Sequence, residues 1–319
     1  MNNRAKLTQT VILTVIGIVI CLASAYIPFL GLLALILPVP YAIISTTSGY
    51  KYALISAISS FFILVLTVDV VYALNLLIMC MLPGIAVGYR INQDSKVEDE
   101  NKSFTPIYFG TIAFILSIIV FFAMSKLLFN IDLLADISKT IKATVEAQFA
   151  IMESTNMMPK ENITAKDMIN TFQNMMPTVL FMYSIIASLI AYYVEAFILR
   201  RTKVLNYDLP KFSEFYLPGN AIVTSLILYL LVMFLEMLNI GLYTDAIMLN
   251  IQLVFSILFL IQGVSVSIYF IKRWKDKSPG KIVFAVIAVI LLSGSMILSF
   301  VGMLDSAIDF RKVRNYKST

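Results

Sequence analysis

The sequence contains no histidine, two cysteines, one tryptophan and few charged residues. Without histidine, the chain lacks the commonest general base and the commonest metal ligand. Cys21 and Cys80 each lie inside an apolar run, so the pattern indicates neither a disulfide framework nor a thiolate metal site. A nucleophile motif and a Walker motif are also missing. The sequence therefore predicts a protein that is not an enzyme, holds no metal or cofactor, and depends on another chain for any ATP-driven step.

Apolar side chains are what the sequence has in abundance. Of its 319 residues, 60% are hydrophobic and 13% are charged, and the mean hydropathy is +0.88. A helix crosses a membrane core of about 30 Å with roughly 20 apolar residues, and runs of that size recur along the chain. We expect an all-α, polytopic helical membrane protein with about nine transmembrane helices. Besides a proline-rich segment near residue 38, the predicted spans are Thr8–Tyr26, Tyr52–Val68, Val70–Tyr89, Phe104–Leu128, Thr178–Leu199, Leu217–Leu238, Ala246–Ile271 and Ile282–Leu304.

Lysine and arginine predict the orientation of these helices. They cluster in alternate loops, at Lys51, Arg90–Lys102, Arg200–Lys211 and Lys272–Lys281, whereas the short loops between carry none. Because basic short loops stay in the cytoplasm, we expect the N-terminus there. The basic C-terminal tail conflicts with this count, because a ninth crossing at Ile282–Leu304 would export it. Nine crossings with an exported tail and eight crossings with a cytoplasmic tail both remain open.

One connection, Asn130–Pro177, is too long for a simple loop because it contains 48 residues. Its apolar residues repeat every fourth position with charges between them, which predicts an amphipathic helix. A second helix is predicted from Thr164, where the sequence T-A-K-D resembles a capping box. This external insert is either a lid or docking surface, or a helix pair on the membrane surface without a ligand.

The insert also bears on the domain organisation. We expect an N-terminal domain of residues 1–200, which is a six-helix membrane bundle that includes the external insert 130–177. A second domain of residues 201–319 then adds three transmembrane helices and the basic tail.

Three prolines fall in one uncharged stretch between residues 28 and 40. Proline lacks the N–H that continues a helix, and a broken segment at membrane depth persists only inside protein or beside a cavity. Transporters place binding sites at such breaks. We predict an apolar loop at Ile27–Leu37 and a short helix from Pro38 to about Tyr50. The alternative is a single kinked helix across Leu30–Thr47.

Asp69, Tyr72 and Asn75 are candidate substrate-binding residues. Asp69 lies between two runs of membrane-spanning length, which predicts that it sits at a hairpin tip. Tyr72 and Asn75 follow at i+3 and i+6, close enough around the helix to cluster with it at the outer end. The alternative is that Asp69 is simply solvated at the tip, since a charge there reaches water and headgroups.

Glu195 is the fourth candidate. No cation lies three or four residues away on its own helix. It is near the predicted inner end, where a side chain can extend to the headgroups beside Arg200 and Arg201. That alternative is favoured over a carboxylate that faces the bundle and binds a substrate.

The proline and glycine pattern carries a resemblance to a known family. The stretches LPVPYAI, GYKYA at Gly49–Ala53 and LPGIAVGYR at Leu82–Arg90 resemble the YybS-like family of bacterial integral membrane proteins. That family is distantly similar to the substrate-binding S components of energy-coupling-factor (ECF) vitamin transporters. The resemblance implies a six-helix bundle at Thr8–Leu199, an outward-facing pocket under the apolar first loop, and a place in the bacterial cytoplasmic membrane.

Two features depart from that S-component pattern. The external insert and the three C-terminal helices have no counterpart in the six-helix core. S components also contact a coupling partner through small residues spaced by four on their first helix, and Thr10, Thr14 and Gly17 correspond to these only weakly.

Two functions follow as expectations. The first is a small-molecule-binding, transporter-like subunit, which implies a ligand and a membrane partner or energising module. The second is a membrane scaffold or sensor that binds partner proteins through the insert and the basic loops. In either case the net charge of +5 favours a bilayer with anionic headgroups as partner and not nucleic acid, because the basic residues flank membrane spans.

Overall fold

The computed structural model describes residues 3–27, 33–96, 104–155, 164–203, 210–217, 220–238, 243–273 and 296–313, with five single positions between 283 and 291. The chain folds as two compact units. Unit 1 contains residues 1–173 and 179–209, and unit 2 contains residues 174–178 and 210–319. Within the described residues all regular structure is helical, which confirms the predicted all-α class.

Nine helices belong mainly to unit 1. They are α1 (Asn3–Tyr26), α2 (Pro38–Thr47), α3 (Tyr50–Thr67), α4 (Val70–Leu76), α5 (Leu82–Asp94), α6 (Thr105–Phe129), α7 (Leu133–Ser154), α8 (Ala165–Asn174) and α9 (Met176–Arg201). Unit 2 contains a 3₁₀ turn (Phe212–Glu214) and the helices α10 (Ala221–Met237), α11 (Thr244–Arg273) and α12 (Met296–Ile308).

Six helical stretches of the described chain are long and apolar enough to cross a membrane. They are Arg4–Tyr26, Tyr50–Thr67, Val70–Asp94, Thr105–Phe129, Met176–Arg201 and Thr244–Arg273. Three shorter apolar helices accompany them, Leu33–Thr47, Ala221–Met237 and Met296–Ile308. The predicted multi-pass pattern is therefore present, with three of the predicted spans formed by helices shorter than a full crossing.

The second helix, α2, is short and buried. Two prolines occupy its first turn, where the missing N–H groups cost no helical hydrogen bond. Nine of its ten residues are buried, and its length of about 15 Å is half of a membrane core. A turn at residues 36 and 37 separates it from a 3₁₀ segment at residues 33–35. This favours the predicted short helix from Pro38, which ends at Thr47. The preceding loop, predicted at Ile27–Leu37, lies partly outside the described residues.

Two glycines bring α5 into backbone contact with α2. A Cβ added to Gly84 would lie 2.3 Å from the Pro38 carbonyl oxygen, and one added to Gly88 would lie 2.1 Å from the Ala42 carbonyl oxygen. Both distances are far inside van der Waals contact, so no larger residue fits unless a helix moves. The spacing of four places both glycines on one face of α5, as in other small-residue contacts of membrane helices.

The crossing that begins at Val70 is not a regular α-helix throughout. Residues Leu77–Met81 form a π-helical segment between α4 and α5. Pro83 follows two residues later and has no N–H to continue the regular hydrogen-bond ladder. Wider π-type turns occur where that ladder is interrupted and are frequent at functional sites. The predicted span is present and extends to Asp94, but the sequence did not predict its π-helical segment.

The long insert forms the two predicted helices, α7 and α8. On α7 the side chains of Val145 and Phe149 are buried, as the amphipathic pattern predicts. At the start of α8, the Thr164 hydroxyl and N–H donate to the Asp167 carboxylate, and the Asp167 N–H donates to the Thr164 hydroxyl oxygen. This reciprocal pair is the predicted capping box. Most of the predicted turn between the helices lies outside the described residues.

In unit 2, α11 and α12 run in the same direction. Ser299 donates to the Ser256 carbonyl at 3.0 Å, and Asp305 accepts from Gln262 at 2.9 Å, six residues further along both helices. α12 therefore ends towards the same side of unit 2 as α11. The predicted ninth crossing at Ile282–Leu304 lies partly outside the described residues, so nine crossings with an exported tail and eight with a cytoplasmic tail both stay predictions.

Candidate functional site

Asp69 caps α4 at the tip of a hairpin. α3 ends at Thr67, α4 begins at Val70, and the exposed Asp69 carboxylate accepts the Tyr72 N–H at 2.8 Å. The position of the hairpin tip is as predicted. An acceptor at this position satisfies one of the free N–H groups at a helix start. The structure thus assigns Asp69 a local structural role, and its binding of a substrate stays a prediction.

Tyr72 and Asn75 have different surroundings from Asp69. The Tyr72 hydroxyl donates to the Cys21 carbonyl at 2.8 Å and lies 3.0 Å from the Ser24 hydroxyl, so it links α4 to α1. Asn75 is partly buried and forms no side-chain hydrogen bond with another described residue. The side chains of Asp69 and Tyr72 therefore bond to different partners, one on α4 and one on α1.

Glu195 lies in the interior of unit 1. Its side chain is 0% exposed, so the favoured prediction that it extends to the headgroups beside Arg200 and Arg201 is wrong. The carboxylate points to α2 instead, where its Oε1 lies 2.5 Å from the Thr46 hydroxyl oxygen. Its Oε2 has no hydrogen-bond partner among the described residues. A buried carboxylate with an unmet oxygen is costly and requires an explanation.

Thr46 lies at the centre of this group. Its hydroxyl oxygen is 2.5 Å from Glu195 Oε1 on α9 and 2.9 Å from the Gly88 carbonyl oxygen on α5. The Asn92 amide donates to the Thr46 carbonyl at 2.5 Å, which satisfies one of the free carbonyls at the end of α2. We call Glu195, Thr46, Gly88 and Asn92 the Glu195 cluster. It joins three helices, and its members Glu195, Thr46 and Gly88 are buried while Asn92 is partly exposed.

The sequence predicted one of the four members of this cluster. Thr46 and Gly88 belong to the LPVPYAI–STT and LPGIAVGYR stretches, which were noted for their prolines and glycines and not for their polar atoms. Gly88 contributes a backbone carbonyl, which every residue type has, so no side-chain pattern could identify it. The available signal was the Ser-Thr-Thr run at the end of a short, otherwise apolar helix.

The small residues of α1 face the interior of unit 1. The Thr10 hydroxyl donates to Ser48 at 3.2 Å, and the Thr14 hydroxyl lies 2.6 Å from that of Ser56. Gly17 is buried against the Tyr41 ring, which a Cβ would meet at 3.0 Å. These contacts lie within the unit, and contact of Thr10, Thr14 and Gly17 with a coupling partner stays untested.

Unit 2 contains a second buried carboxylate, Asp305 at the end of α12. Arg311 is also buried and pairs with it, with Nη2 2.8 Å from Oδ2. The same guanidinium donates to the carbonyls of Ser213 and Phe215, both at 2.8 Å. Gln262 on α11 donates to Asp305 at 2.9 Å. The sequence did not predict that Arg311, next to the basic tail, is buried.

Candidate metal ligands are sparse in both units. Over the described residues, no group of three or more Cys, Asp or Glu side chains is placed to hold a metal ion. Cys21 and Cys80 are both buried and free. The Glu195 cluster offers oxygen atoms only, which suit hard cations and not soft ones.

Comparison with known proteins identifies the family. The chain is 24% identical over 302 residues to the protein named "Uncharacterized protein YybS" of Bacillus subtilis (strain 168), an alignment that covers 91% of each chain. No solved structure matches. The family model described as "Predicted membrane protein (DUF2232)" matches residues 15–306, a range that includes the Glu195 cluster and Asp305. This chain therefore belongs to the DUF2232 family of predicted membrane proteins, in agreement with its resemblance to YybS-like sequences.

Proposed function

We propose that this protein is a transporter-like membrane subunit that binds a small molecule in unit 1, at the Glu195 cluster. The observation that carries the proposal is the fully buried Glu195 carboxylate with an oxygen that lacks a partner. Ionisable residues inside membrane bundles are rare and mark substrate or ion pathways. A broken helix next to such a residue is typical of transporter sites, and α2 is a helix of this kind.

The local backbone supports a binding role for the same place. α2 is held by glycine contacts to α5, and α5 begins directly after the π-helical segment Leu77–Met81. Irregular helical turns let helices shift by small amounts without losing all their hydrogen bonds. A ligand that displaces Thr46 from Glu195 would therefore act on the position of α2.

The proposal includes the likeness to ECF S components and its consequences. Unit 1 would be the ligand-binding bundle, which acts without enzymatic chemistry. An energising module from another chain would contact a surface other than the Thr10–Gly17 face of α1, because that face is packed inside. Asp69 and Asn75 would line the outer end of the path, at the opposite end of the bundle from the basic loops.

The first experiment is a ligand screen on the purified full-length protein. A ligand that binds only the folded state raises the free energy of unfolding by about 2.7 kcal/mol at 100 times its dissociation constant. We expect at least one small molecule to raise the melting temperature of the wild type and to have a weaker effect on Glu195→Gln. Glu236→Gln is the matched control, because Glu236 is an exposed carboxylate on α10. Equal stabilisation of wild type and Glu195→Gln would exclude the cluster as the site.

The alternative function is a scaffold that binds partner proteins through the insert. The exposed Phe172 on α8 favours it, because a large apolar side chain on an amphipathic helix can contact a protein or a membrane surface. A screen in which no small molecule stabilises the protein, together with specific cross-links from α8 to one partner protein, would support the scaffold.

The proposal places the protein in the bacterial plasma membrane with a cytoplasmic N-terminus. Single cysteines at Ser95, Ser154 and Ser318, in a background without the native cysteines, test it with a membrane-impermeant thiol reagent on whole cells. We expect labelling at Ser154 only. Ser278, in the basic loop after α11, should label like Ser318, because α11 and α12 end on the same side. Labelling at Ser95 but not at Ser154 would reverse the orientation.

A further inference from the structure

The hydrogen-bond geometry of the Glu195 cluster sets the protonation state of its carboxyl group. The Thr46 hydroxyl lies within hydrogen-bond distance of two acceptors, Glu195 Oε1 and the Gly88 carbonyl oxygen. A hydroxyl has one proton to donate. If Thr46 donates it to Gly88, the short contact to Oε1 requires a proton on Glu195, which then donates to Thr46. This arrangement gives each of the two contacts its own proton.

The surroundings favour the same state. The titratable and charged side chains on the neighbouring helices are Arg4, Lys6, Cys21 and Tyr26 on α1, Tyr41 on α2, Tyr89, Arg90 and Asp94 on α5, Tyr108 and Lys126 on α6, and Tyr183, Tyr192, Tyr193, Arg200 and Arg201 on α9. In the described part of the chain, none of them forms an ion pair or hydrogen bond with the Glu195 carboxylate. Arg90 is instead paired with Asp94 at 3.0 Å. An ionised Glu195 would thus be a buried charge without a counter-ion, which costs several kcal/mol.

We propose that Glu195 is a reversible proton-binding site and that the ligand of the Glu195 cluster is a small monovalent cation which exchanges with this proton. The inference rests on the proposed function and specifies its ligand class. The exchange balances: the carboxylic acid loses a proton as the cation arrives, and the cation pairs with the carboxylate that remains. The net charge of the buried cluster stays unchanged.

The chemistry of the available atoms selects this ligand class. The cluster presents the Oε2 oxygen without a partner, the Oε1 oxygen and the Thr46 hydroxyl, all of which are hard oxygen ligands. A single carboxylate neutralises one positive charge, so a divalent ion would keep an uncompensated charge in the interior. An alkali-metal ion and a protonated primary amine both meet these requirements, the first as an ion and the second as a hydrogen-bond donor.

Exchange would also change the contact between α2 and α5. With Glu195 ionised, the Thr46 proton is drawn to Oε1 and is no longer available to the Gly88 carbonyl. One of the hydroxyl contacts that hold the end of α2 on α5 is then lost, while the Ser45 hydroxyl still donates to the Ile85 carbonyl at 2.9 Å. Proton release is therefore coupled to the packing of the buried helix.

Infrared difference spectroscopy on the full-length protein in lipid nanodiscs tests the inference. At neutral pH the wild type should show the carbonyl band of a protonated carboxylic acid, and Glu195→Gln should lack it. Glu236→Gln should keep the band, because Glu236 is an exposed side chain of unit 2 and the substitution leaves Glu195 in place. Thr46→Val should shift the band by removing the hydrogen-bond acceptor, whereas Thr46→Ser should leave it in place. The wild-type and Thr46 measurements stand even if Glu195→Gln fails to fold.

Cation exchange is measured on the same samples in weak buffer. Sodium or potassium chloride forms one arm, methylammonium chloride the second, and choline chloride at equal ionic strength the control. One of the first two arms should abolish the band and release about one proton per chain, as cation binding to a protonated ligand requires. The responding arm identifies the source of the cation. Glu195→Gln should release none.

Two results would overturn the inference. Neither would decide the proposed function, which the ligand screen tests separately. Absence of a protonated carboxyl band in the folded wild type would show that Glu195 is ionised. A band that persists in both cation arms would exclude the exchange. If a neutral or anionic molecule stabilises the wild type at the Glu195 cluster without proton release, the binding function holds but the ligand class is wrong.

Discussion

Among the described residues, each unit of this protein buries one carboxylate completely, but the two are satisfied in different ways. Asp305 in unit 2 accepts hydrogen bonds from Arg311 and from Gln262, so its charge is paired and its oxygens are occupied. Glu195 in unit 1 contacts only the Thr46 hydroxyl, and its second oxygen has no partner among the described residues. A fully paired group is suited to hold a structure together, whereas an unmet one is suited to bind something.

The backbone that follows Asp305 explains part of the difference in pairing between the two carboxylates. Asp309 and Lys312 adopt left-handed backbone angles, with φ of 51° and 52°, so the chain turns back after α12 and brings Arg311 beside Asp305. Such angles are costly for residues other than glycine and persist where other contacts hold them. The hydrogen bonds of Arg311 to Ser213 and Phe215 supply such contacts. In the part of the chain that the structure describes, no cation is paired with Glu195.

The largest effect on stability is expected when the buried ion pair between Asp305 and Arg311 in unit 2 is removed. Arg311→Gln leaves Asp305 buried without its cation and should lower the free energy of unfolding by about 3–5 kcal/mol. Denaturant unfolding in detergent, followed by the fluorescence of the single tryptophan, measures it. Lys312→Gln is the control, because Lys312 is the next residue in the same turn and its side chain is exposed.

Glu195→Gln in the same assay tests whether the buried carboxylate of unit 1 stabilises the fold as the ion pair of unit 2 does. The amide keeps the size of the side chain and an oxygen near Thr46, and it removes only the ability to ionise. We expect a change of at most about 1 kcal/mol, the usual value for one altered hydrogen bond. If Glu195→Gln were as destabilising as Arg311→Gln, Glu195 would have a structural role like that of Asp305.

Replacing the glycines at close helix contacts with alanine tests whether the two units are equally well packed. A Cβ at Gly302 would lie 1.9 Å from the Phe259 carbonyl oxygen, and one at Gly88 would lie 2.1 Å from that of Ala42. Each change to alanine should cost about 1–3 kcal/mol, the typical price of overpacking.

Gly17→Ala is the matched control for these glycine variants. Its Cβ would meet the end of the Tyr41 side chain at 3.0 Å, which can move more easily than a backbone carbonyl. A loss at Gly88 no greater than at Gly17 would show that α2 and α5 can separate freely, as a mobile binding site would require.

Asp69 offers a smaller effect that separates capping from binding. Asp69→Ala removes the acceptor for the Tyr72 N–H and should cost about 1 kcal/mol, while Asp69→Asn keeps an acceptor and should be nearly neutral. Thermal unfolding measures both. A ligand found in the screen whose affinity falls in Asp69→Asn, with stability unchanged, would place Asp69 on the binding path. Unchanged affinity would leave it only the capping role.

The smallest effect concerns the pH dependence of the insert, outside the membrane spans. The hydrogen bonds from the Thr164 hydroxyl and backbone lower the pKa of Asp167, and the Ala135 N–H and Lys126 similarly lower the pKa of Asp132. A lowered pKa means that the ionised form stabilises the fold. That stability is present above the ordinary aspartate pKa of about 3.9 and is lost as the pH falls through the lower folded value.

Hydrogen exchange at the first turn of α8 measures this pH dependence. The protection factor, which compares the exchange rate with that of an unstructured peptide at the same pH, should fall as the pH drops below about 4 in the wild type, since protonated Asp167 no longer accepts from Thr164. In Asp167→Asn this fall should be absent, because asparagine does not titrate in this range. An identical pH response in both proteins would rule out the capping box as its cause.

Periodicity and composition were enough to predict the helices. The runs of apolar residues set α1, α3, α6, α9 and α11 to within a few residues of their observed bounds, because a helix in an apolar surrounding must satisfy its own backbone groups. Local chemistry also predicted the capping box at Thr164, since its bonds form within one helical turn, and the spacing of the apolar runs predicted the hairpin tip at Asp69. Such features depend on neighbours in the sequence alone.

The two buried carboxylates depended on contacts that the sequence does not contain. Glu195 meets Thr46 across 149 residues and Arg311 meets Ser213 across 98, so only the tertiary fold decides that the first lacks a cation and that the second is buried. The sequence also left the side of the basic tail open, because its charge and the count of nine crossings disagree. The sequence by itself determined where the chain is helical and apolar. The tertiary structure decided which polar groups those helices enclose, because burial and pairing are properties of three-dimensional neighbours.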